Sequence, residues 1–250
     1  LPMGTFDERA QGILLTLTVV GILFGAIMWY GSPSELEGRP YWIITMAGLA
    51  IYSSLNGNLI ATLAWTLALI LSGSVLFLFS ARGRKLTILP LLAIIGVTGL
   101  PFTPTVIGWQ GIISAGGSFR NILMILSVSI IILGYLRHAT LSDTLLSQKE
   151  KWIWLTYPIG LFILILSQWL IFLISDLNWY ISGILYASII AFLFPLILYY
   201  LIRKFFRESE YAEFLQRILK PIGNFIIRFL SFRWVYDLLW SFFGLFQRIV

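Results

Sequence analysis

Residues 59–80 read LIATLAWTLALILSGSVLFLFS and contain no ionisable side chain. A helix of about 20 residues crosses the hydrocarbon core of a bilayer, because each residue rises about 1.5 Å. A strand of a transmembrane barrel would instead need about 10 residues of alternating hydrophobicity. The long, continuous apolar run therefore predicts a membrane-spanning α-helix.

The rest of the chain repeats this pattern. Of its 250 residues, 59% are hydrophobic and 11% are charged, whereas soluble domains carry about 25% charged residues. We therefore predict an all-α integral membrane protein with about seven transmembrane helices, one of them broken. Pro40 and the Asn56-Gly57-Asn58 turn are predicted to delimit a short second span. The predicted spans are Gly12–Tyr30, Tyr41–Leu55, Leu59–Ser80, Thr87–Gly111, Phe119–Leu136, Trp152–Ile174 and Trp179–Ile202.

Basic residues in the connections indicate the orientation. One set of alternate connections carries ten Lys and Arg residues, and the other carries two, Arg9 and Arg120. Because basic connections stay inside, we expect the N-terminus outside and the C-terminus inside. The expected setting is a prokaryotic inner (cytoplasmic) membrane or an energy-converting membrane of an organelle. The ten residues are Arg39, Arg82, Arg84, Lys85, Arg137, Lys149, Lys151, Arg203, Lys204 and Arg207.

The residues after Arg207 differ from the spans. Apolar side chains recur at three- and four-residue intervals from Tyr211 to Ile226 and again from Trp234 to Phe246, opposite charged residues. These patterns predict two C-terminal amphipathic helices, which lie either at the lipid interface or along a partner. We therefore divide the chain into a transmembrane bundle, residues 1–207, and an amphipathic segment, residues 208–250.

The sequence offers no site for catalysis or for a cofactor. It contains no cysteine and no phosphate loop, zinc spacing or hydrolase triad. His138, the only histidine, is interpreted as a solvated side chain at a helix end, and Trp29 and Trp42 as part of an interfacial aromatic belt. We expect no cofactor, no metal and no catalytic activity of its own. The net charge of +6 is interpreted as loop bias and contact with the lipid bilayer, without nucleic acid as a partner.

The fourth span holds two prolines and three glycines between Gly99 and Gly111. Because proline donates no backbone hydrogen bond, we predict a break between Gly99 and Thr105 in which the hydroxyl of Thr103 or Thr105 bonds a freed carbonyl or water. Broken helices in membranes line a polar cavity or are buried in protein, and the spacing fits an ion path and a kinked packing helix equally. The candidate residues are Gly99, Pro101, Thr103, Pro104, Thr105, Gly108, Trp109 and Gln110.

The order Gly99-Leu100-Pro101, with Gly108 after six intervening residues, resembles the broken helix of the antiporter-like subunits of respiratory complex I and of Mrp-type cation/proton antiporters. The basic stretch Arg82-Gly83-Arg84-Lys85 before it and the Tyr157-Pro158 pair after it are similar to the same family. The similarity extends over most of this chain but only over the C-terminal half of that family. It implies a multi-subunit, energy-converting membrane complex, such as an oxidoreductase, with other membrane subunits as partners.

Two positions depart from that family. Its members commonly carry a proton-relaying Lys or Glu after the last glycine of the motif, where this chain has Trp109. Its preceding helix usually carries His or Lys, whereas residues 59–80 carry neither. Because a proton relay inside a membrane needs ionisable groups or water chains, we expect a structural or accessory subunit. The alternative is an ion- or proton-translocating subunit whose path is lined by the broken fourth helix and completed by a partner.

Overall fold

The computed structural model describes residues 8–79, 86–113, 118–140, 153–174 and 182–205, together with the single residues Arg217, Pro221 and Trp240. All regular structure in this part of the chain is helical, which confirms the predicted all-α class there. The helices are α1 (Glu8–Gly31), α2 (Glu35–Leu55), α3 (Leu59–Leu78), α4 (Ile88–Ile95), α5 (Gly108–Ile113), α6 (Ser118–Thr140), α7 (Ile153–Ile174) and α8 (Ser182–Phe205).

Four helical segments of the described residues are long and apolar enough to cross a membrane. A shorter apolar segment, Thr156–Leu170, lies within α7. α2 has 21 residues, but Glu35, Glu37 and Arg39 lie in its first turns and lower its mean hydropathy. Four is fewer than the seven spans predicted. The four segments are Arg9–Gly31, Leu59–Leu78, Phe119–Thr140 and Ile184–Leu201.

The boundaries of α2 correct one prediction. α2 begins six residues before the predicted second span, because the hydroxyl of Ser34 caps it by accepting an N–H of the first turn at 3.3 Å. Pro40 lies in its second turn, so the prediction that Pro40 delimits the span is wrong. The other boundary is as predicted. Gly57 turns the chain at φ +73°, and Asn58 caps α3 by accepting an N–H at 2.9 Å.

Hydrogen bonds between helix ends define one end of the bundle. Arg39 of α2 donates to the carbonyl of Phe77 at 3.1 Å, and Tyr157 of α7 donates to that of Leu78 at 2.6 Å. Arg137 of α6 donates to two carbonyls where α1 ends. We call this the basic end. Here a hydrogen bond from Arg39 to the carboxylate of Glu35 at 2.6 Å raises the pKa of the guanidinium.

A second set of bonds defines the opposite end. Gln11 of α1 donates to the carbonyl of Leu55 at 2.7 Å, and Asn56 donates to that of Gly111 at 3.0 Å. α2 and α5 therefore finish where α1 begins. α4 and α5 together run antiparallel to α3 and reach this end at Gly111. We call it the Asn56 end.

The surface of the bundle is apolar and its interior is partly polar. Large aliphatic side chains on α1, α3 and α7 point outward, with Ile13 62%, Leu63 53% and Ile163 53% exposed. Hydroxyl and amide side chains lie in the centre, and Ser72 and Gln168 are almost fully buried. The buried hydroxyl and amide groups lie within a core that is otherwise mainly apolar.

Contacts divide the chain into two compact units, Leu1–Phe205 and Phe206–Val250. That boundary lies two residues before the predicted division of the chain. The amphipathic helices predicted for residues 208–250 lie outside the described residues, apart from Arg217, Pro221 and Trp240. They stay a prediction.

Candidate functional site

The chain leaves the helical conformation in the middle of the fourth predicted span. α4 ends at Ile95 and α5 begins at Gly108, and residues 96–107, which we call the break, form turns. Pro101 and Pro104 have no N–H to continue a helix, and Gly99 adopts a left-handed φ of +71°. The interruption is longer than the 99–105 stretch predicted from the prolines.

Threonine hydroxyls replace part of the lost helical pairing within the break. Two of them bond a carbonyl three residues earlier, and the third reaches across nine residues and ties the two sides of the break together. The carbonyl of Leu100, which Pro104 leaves without its helical donor, therefore gains the hydroxyl of Thr103, as predicted. The hydroxyl of Thr105 bonds the carbonyl of Gly96, which is freed because the helix stops there. The bonds are Thr98 to Ile95 at 2.7 Å, Thr103 to Leu100 at 2.7 Å, and Thr105 to Gly96 at 2.9 Å.

Trp109 closes the break from the side of α5. Its side chain is fully buried, and its indole Nε1 packs directly onto Gly99, in the space that a Cβ on Gly99 would occupy. Glycine is therefore required at position 99 for two reasons, the left-handed backbone and the indole. The Nε1–H of Trp109 has no hydrogen-bond acceptor among the described atoms, so this indole acts by filling space.

A second indole, from α3, closes the other side. Trp65 is fully buried and donates from Nε1 to the carbonyl of Gly108 at 3.0 Å. A Cβ on Gly108 would lie 2.7 Å from the Trp65 ring, so the last glycine of the motif provides the space for it. The rings of Trp65 and Trp109 meet edge to face, with centroids 6.2 Å apart at 70°.

The remaining candidate residue of α5 lies nearer the surface. Gln110 is partly exposed, and its backbone N–H bonds the carbonyl of Ile107 at 3.0 Å. In the break, Phe102 is 63% exposed and has a φ of +66°, alone among the described non-glycine residues in having a positive φ. Both residues are therefore more exposed than the two buried indoles.

A chain of buried neutral polar groups lies beside the break. The hydroxyl of Ser72 donates to Gln168 Oε1 at 2.8 Å, and the hydroxyl of Tyr135 donates to the carbonyl of Ser72 at 3.1 Å. The Gln168 amide lies against Gly96, where a Cβ would be 3.3 Å from Oε1. These bonds connect α3, α6 and α7 next to the start of the break. These contacts could not be predicted from the sequence, because polar side chains scattered in apolar runs do not reveal their partners.

The interior carries little ionisable chemistry. No Asp, Glu, Lys or Arg is buried among the side chains that the structure describes. The described residues also contain no cluster of His, Cys, Asp and Glu that could hold a metal ion. The arrangement at the break can pack helices and satisfy backbone groups, but it presents no acid, base or nucleophile.

His138 and two tryptophans are placed differently from the predictions. His138 is fully buried, with its Nε2 3.0 Å from the carbonyl of Trp29 and its ring centroid 4.3 Å from that of Trp29. Trp29 and Trp42 are also fully buried and contact each other at 5.6 Å. The solvated histidine and the belt role of these tryptophans are therefore wrong. Gly38 and Gly134 leave space for the Trp29 ring. Glycines on neighbouring helices were therefore the sequence feature that could have predicted a buried tryptophan.

Comparison of the chain with family models, with curated proteins and with solved structures finds no match in any of the three.

Proposed function

We propose that the chain is an integral membrane protein that crosses the bilayer seven times, with α4, the break and α5 forming one crossing. The apolar outward faces support this proposal, because only an apolar environment solvates them without cost. α2 and α7 then cross beside the four longer apolar segments. The proposed orientation has the basic end and the C-terminus inside, since Arg39 and Arg137 lie at that end.

We further propose that the protein is a structural or accessory subunit of a larger energy-converting membrane complex. The packing of the break carries this proposal. Two buried indoles fill the space beside Gly99 and Gly108, and in the resembling family a proton-relaying side chain follows the second of these glycines. Here that position is occupied by Trp109, which cannot titrate. The resemblance of the Gly99–Gly108 segment to the broken helix of the antiporter-like subunits supports membership of such a complex.

The buried polar chain favours the second candidate function, an ion- or proton-translocating subunit. Ser72, Gln168 and Tyr135 form hydrogen bonds beside the break, and neutral groups of this kind can support water in a path that a partner completes. Among the described side chains no Asp, Glu, Lys or Arg is buried, so such a path would need water or the partner's side chains to carry charge.

Flux measurements separate the two candidates. The Trp109→Phe variant should leave proton pumping by the parent complex unchanged, because neither ring titrates and the indole N–H has no acceptor to lose. The purified chain in vesicles with a pH-sensitive dye should show no proton or cation flux above that of empty vesicles. Flux from the chain alone that is lost in Thr105→Ala, but kept in the exposed control Thr16→Ala, would establish the translocating function instead.

Truncation after Arg207 tests the structural role. The deleted segment is predicted to contain two amphipathic helices whose apolar faces need a partner or the lipid interface, at about 25 cal/mol per Å² removed from water. We expect the truncated chain to reach the membrane but to lose neighbouring subunits on purification in mild detergent. A complex that assembles in full without the segment, together with altered pumping, would contradict the structural proposal.

A further inference from the structure

A groove of about 250 Å³ opens on the outer surface of the bundle between α6 and α8. Its edges are exposed, with Ile122 60% and Ile190 53% exposed. The hydroxyl of Ser129, the one polar side chain of the lining, already donates to the carbonyl of Ile125 at 2.8 Å. The groove therefore suits an apolar occupant. The lining consists of Ile122, Ile125, Leu126, Ser129, Ile190 and Phe194.

The groove continues along one face of α8 towards the basic end. Phe194, Ile197 and Leu201 follow Ile190 at three- and four-residue spacing, which places them on one helical face, and all are exposed. Lys204 follows Leu201 by three residues and therefore lies on the same face of α8. It is exposed, and its Nζ lies 5.9 Å from the centroid of the Tyr200 ring. An exposed apolar stripe thus connects the groove to a cation and a phenol.

The spacing along this stripe matches one leaflet of a bilayer. Lys204 follows Phe194 by ten residues of α8, or about 15 Å at about 1.5 Å per residue. This length is half of the hydrocarbon core of about 30 Å. A headgroup beside Lys204 therefore places the far half of its acyl chain at the near edge of the groove, at Phe194.

We propose that this face of the bundle binds one anionic phospholipid, with its phosphate at Lys204 and one acyl chain along Ile197 into the groove. The inference rests on the membrane placement proposed for the chain. Charge complementarity selects the occupant, because the stripe is apolar over its whole length and basic only at the end where a headgroup lies. A helix from a partner protein would need no cation at that position.

Photo-crosslinking in nanodiscs tests the proposal on the full chain. The nanodiscs consist of phosphatidylcholine with a minor fraction of phosphatidylglycerol that carries a diazirine in the far half of one acyl chain, and adducts are mapped by mass spectrometry. We expect adducts concentrated on residues 122–129 and 190–194. Lys204→Gln should lower them about fivefold, the effect of one basic residue beside anionic lipid, whereas Arg120→Gln should not. A phosphatidylcholine probe of the same length should label the groove less and should not respond to Lys204→Gln.

Filling the groove provides an independent readout. Ser129→Leu should remove the adducts on residues 122–129. Ser167→Leu on α7 is the control for adding a leucine to a helix, because Ser167 also bonds its own helix, at 2.7 Å, but lies outside the groove. Even labelling of all exposed helix faces, or labelling indifferent to Lys204, would overturn the lipid site while keeping the membrane placement. Crosslinks from the groove to a second protein would identify a partner helix instead and would also overturn it. Absence of lipid adducts on every helix would refute the membrane placement itself.

Discussion

Substitution of Gly99 by alanine measures how tightly the break is closed. A non-glycine residue in the left-handed conformation costs about 1–2 kcal/mol, and Gly99 has a φ of +71°. The added Cβ also collides with the buried indole of Trp109, and forcing extra volume into a packed core costs about 1–3 kcal/mol. Together these terms predict a loss of about 2–5 kcal/mol in the free energy of unfolding.

Thermal unfolding in detergent, followed by tryptophan fluorescence, reports this loss as a fall in Tm. For a chain of this size about 1 kcal/mol shifts Tm by about 2–4 °C, so a fall of about 4–20 °C is expected. The matched control is Gly160→Ala in α7, where a Cβ meets nothing within 4 Å. That change should stabilise the helix by about 0.5–1 kcal/mol.

A double-mutant cycle separates strain from collision. In a Trp109→Ala background the indole is gone, so Gly99→Ala should cost only the conformational term of about 1–2 kcal/mol. The reasoning fails if Gly99→Ala is as harmless as the α7 control. It also fails if the cost of Gly99→Ala is the same with and without Trp109, because the indole would then not occupy the space beside Gly99.

Two further predictions use other parts of the chain. Thr105→Val removes the bond that ties the two sides of the break together and should cost about 1–3 kcal/mol, measured as a loss of Tm. The control Thr16→Val, on an exposed surface, should stay within about 0.5 kcal/mol, and equal losses would show that the bond across the break contributes little. Because the chain has no cysteine, single cysteines at Ser147 and Ser118 should react with an impermeant maleimide from opposite sides of the membrane. Reaction from the same side would exclude seven crossings.

Helix positions could largely be predicted from composition along the chain. A run such as residues 59–80 has no ionisable group, and continuous apolar sequence of that length favours one structure regardless of its neighbours. The ends that could be predicted were those with local chemistry, such as the turn at Asn56-Gly57-Asn58. Pro40 misled the prediction because proline is tolerated early in a helix, and the cap at Ser34 started α2 before it.

The break was also a local property, because prolines act on their own backbone wherever they are. The packing of the two indoles around the break, in contrast, depends on residues that are distant in sequence. The sequence shows Trp109 where a relay residue would be, but not that its indole lies on Gly99 or that Trp65 reaches Gly108 from α3. Those contacts join residues that lie far apart or face each other only after the chain turns.

Four features could be predicted without the structure, because each follows from backbone chemistry and local hydrophobicity. They are the helical class, the approximate helix positions, the basic asymmetry of the connections and the helix break. Which faces of the helices point inward became known from the packing of the helices. It buried His138 against Trp29 and left the side of α8 that ends in Lys204 exposed. In helices that are apolar on every side, hydrophobicity cannot distinguish an inward face from an outward one. Small residues and hydrogen bonds on the neighbouring helices make that choice, and their partners are known only once the helices are packed.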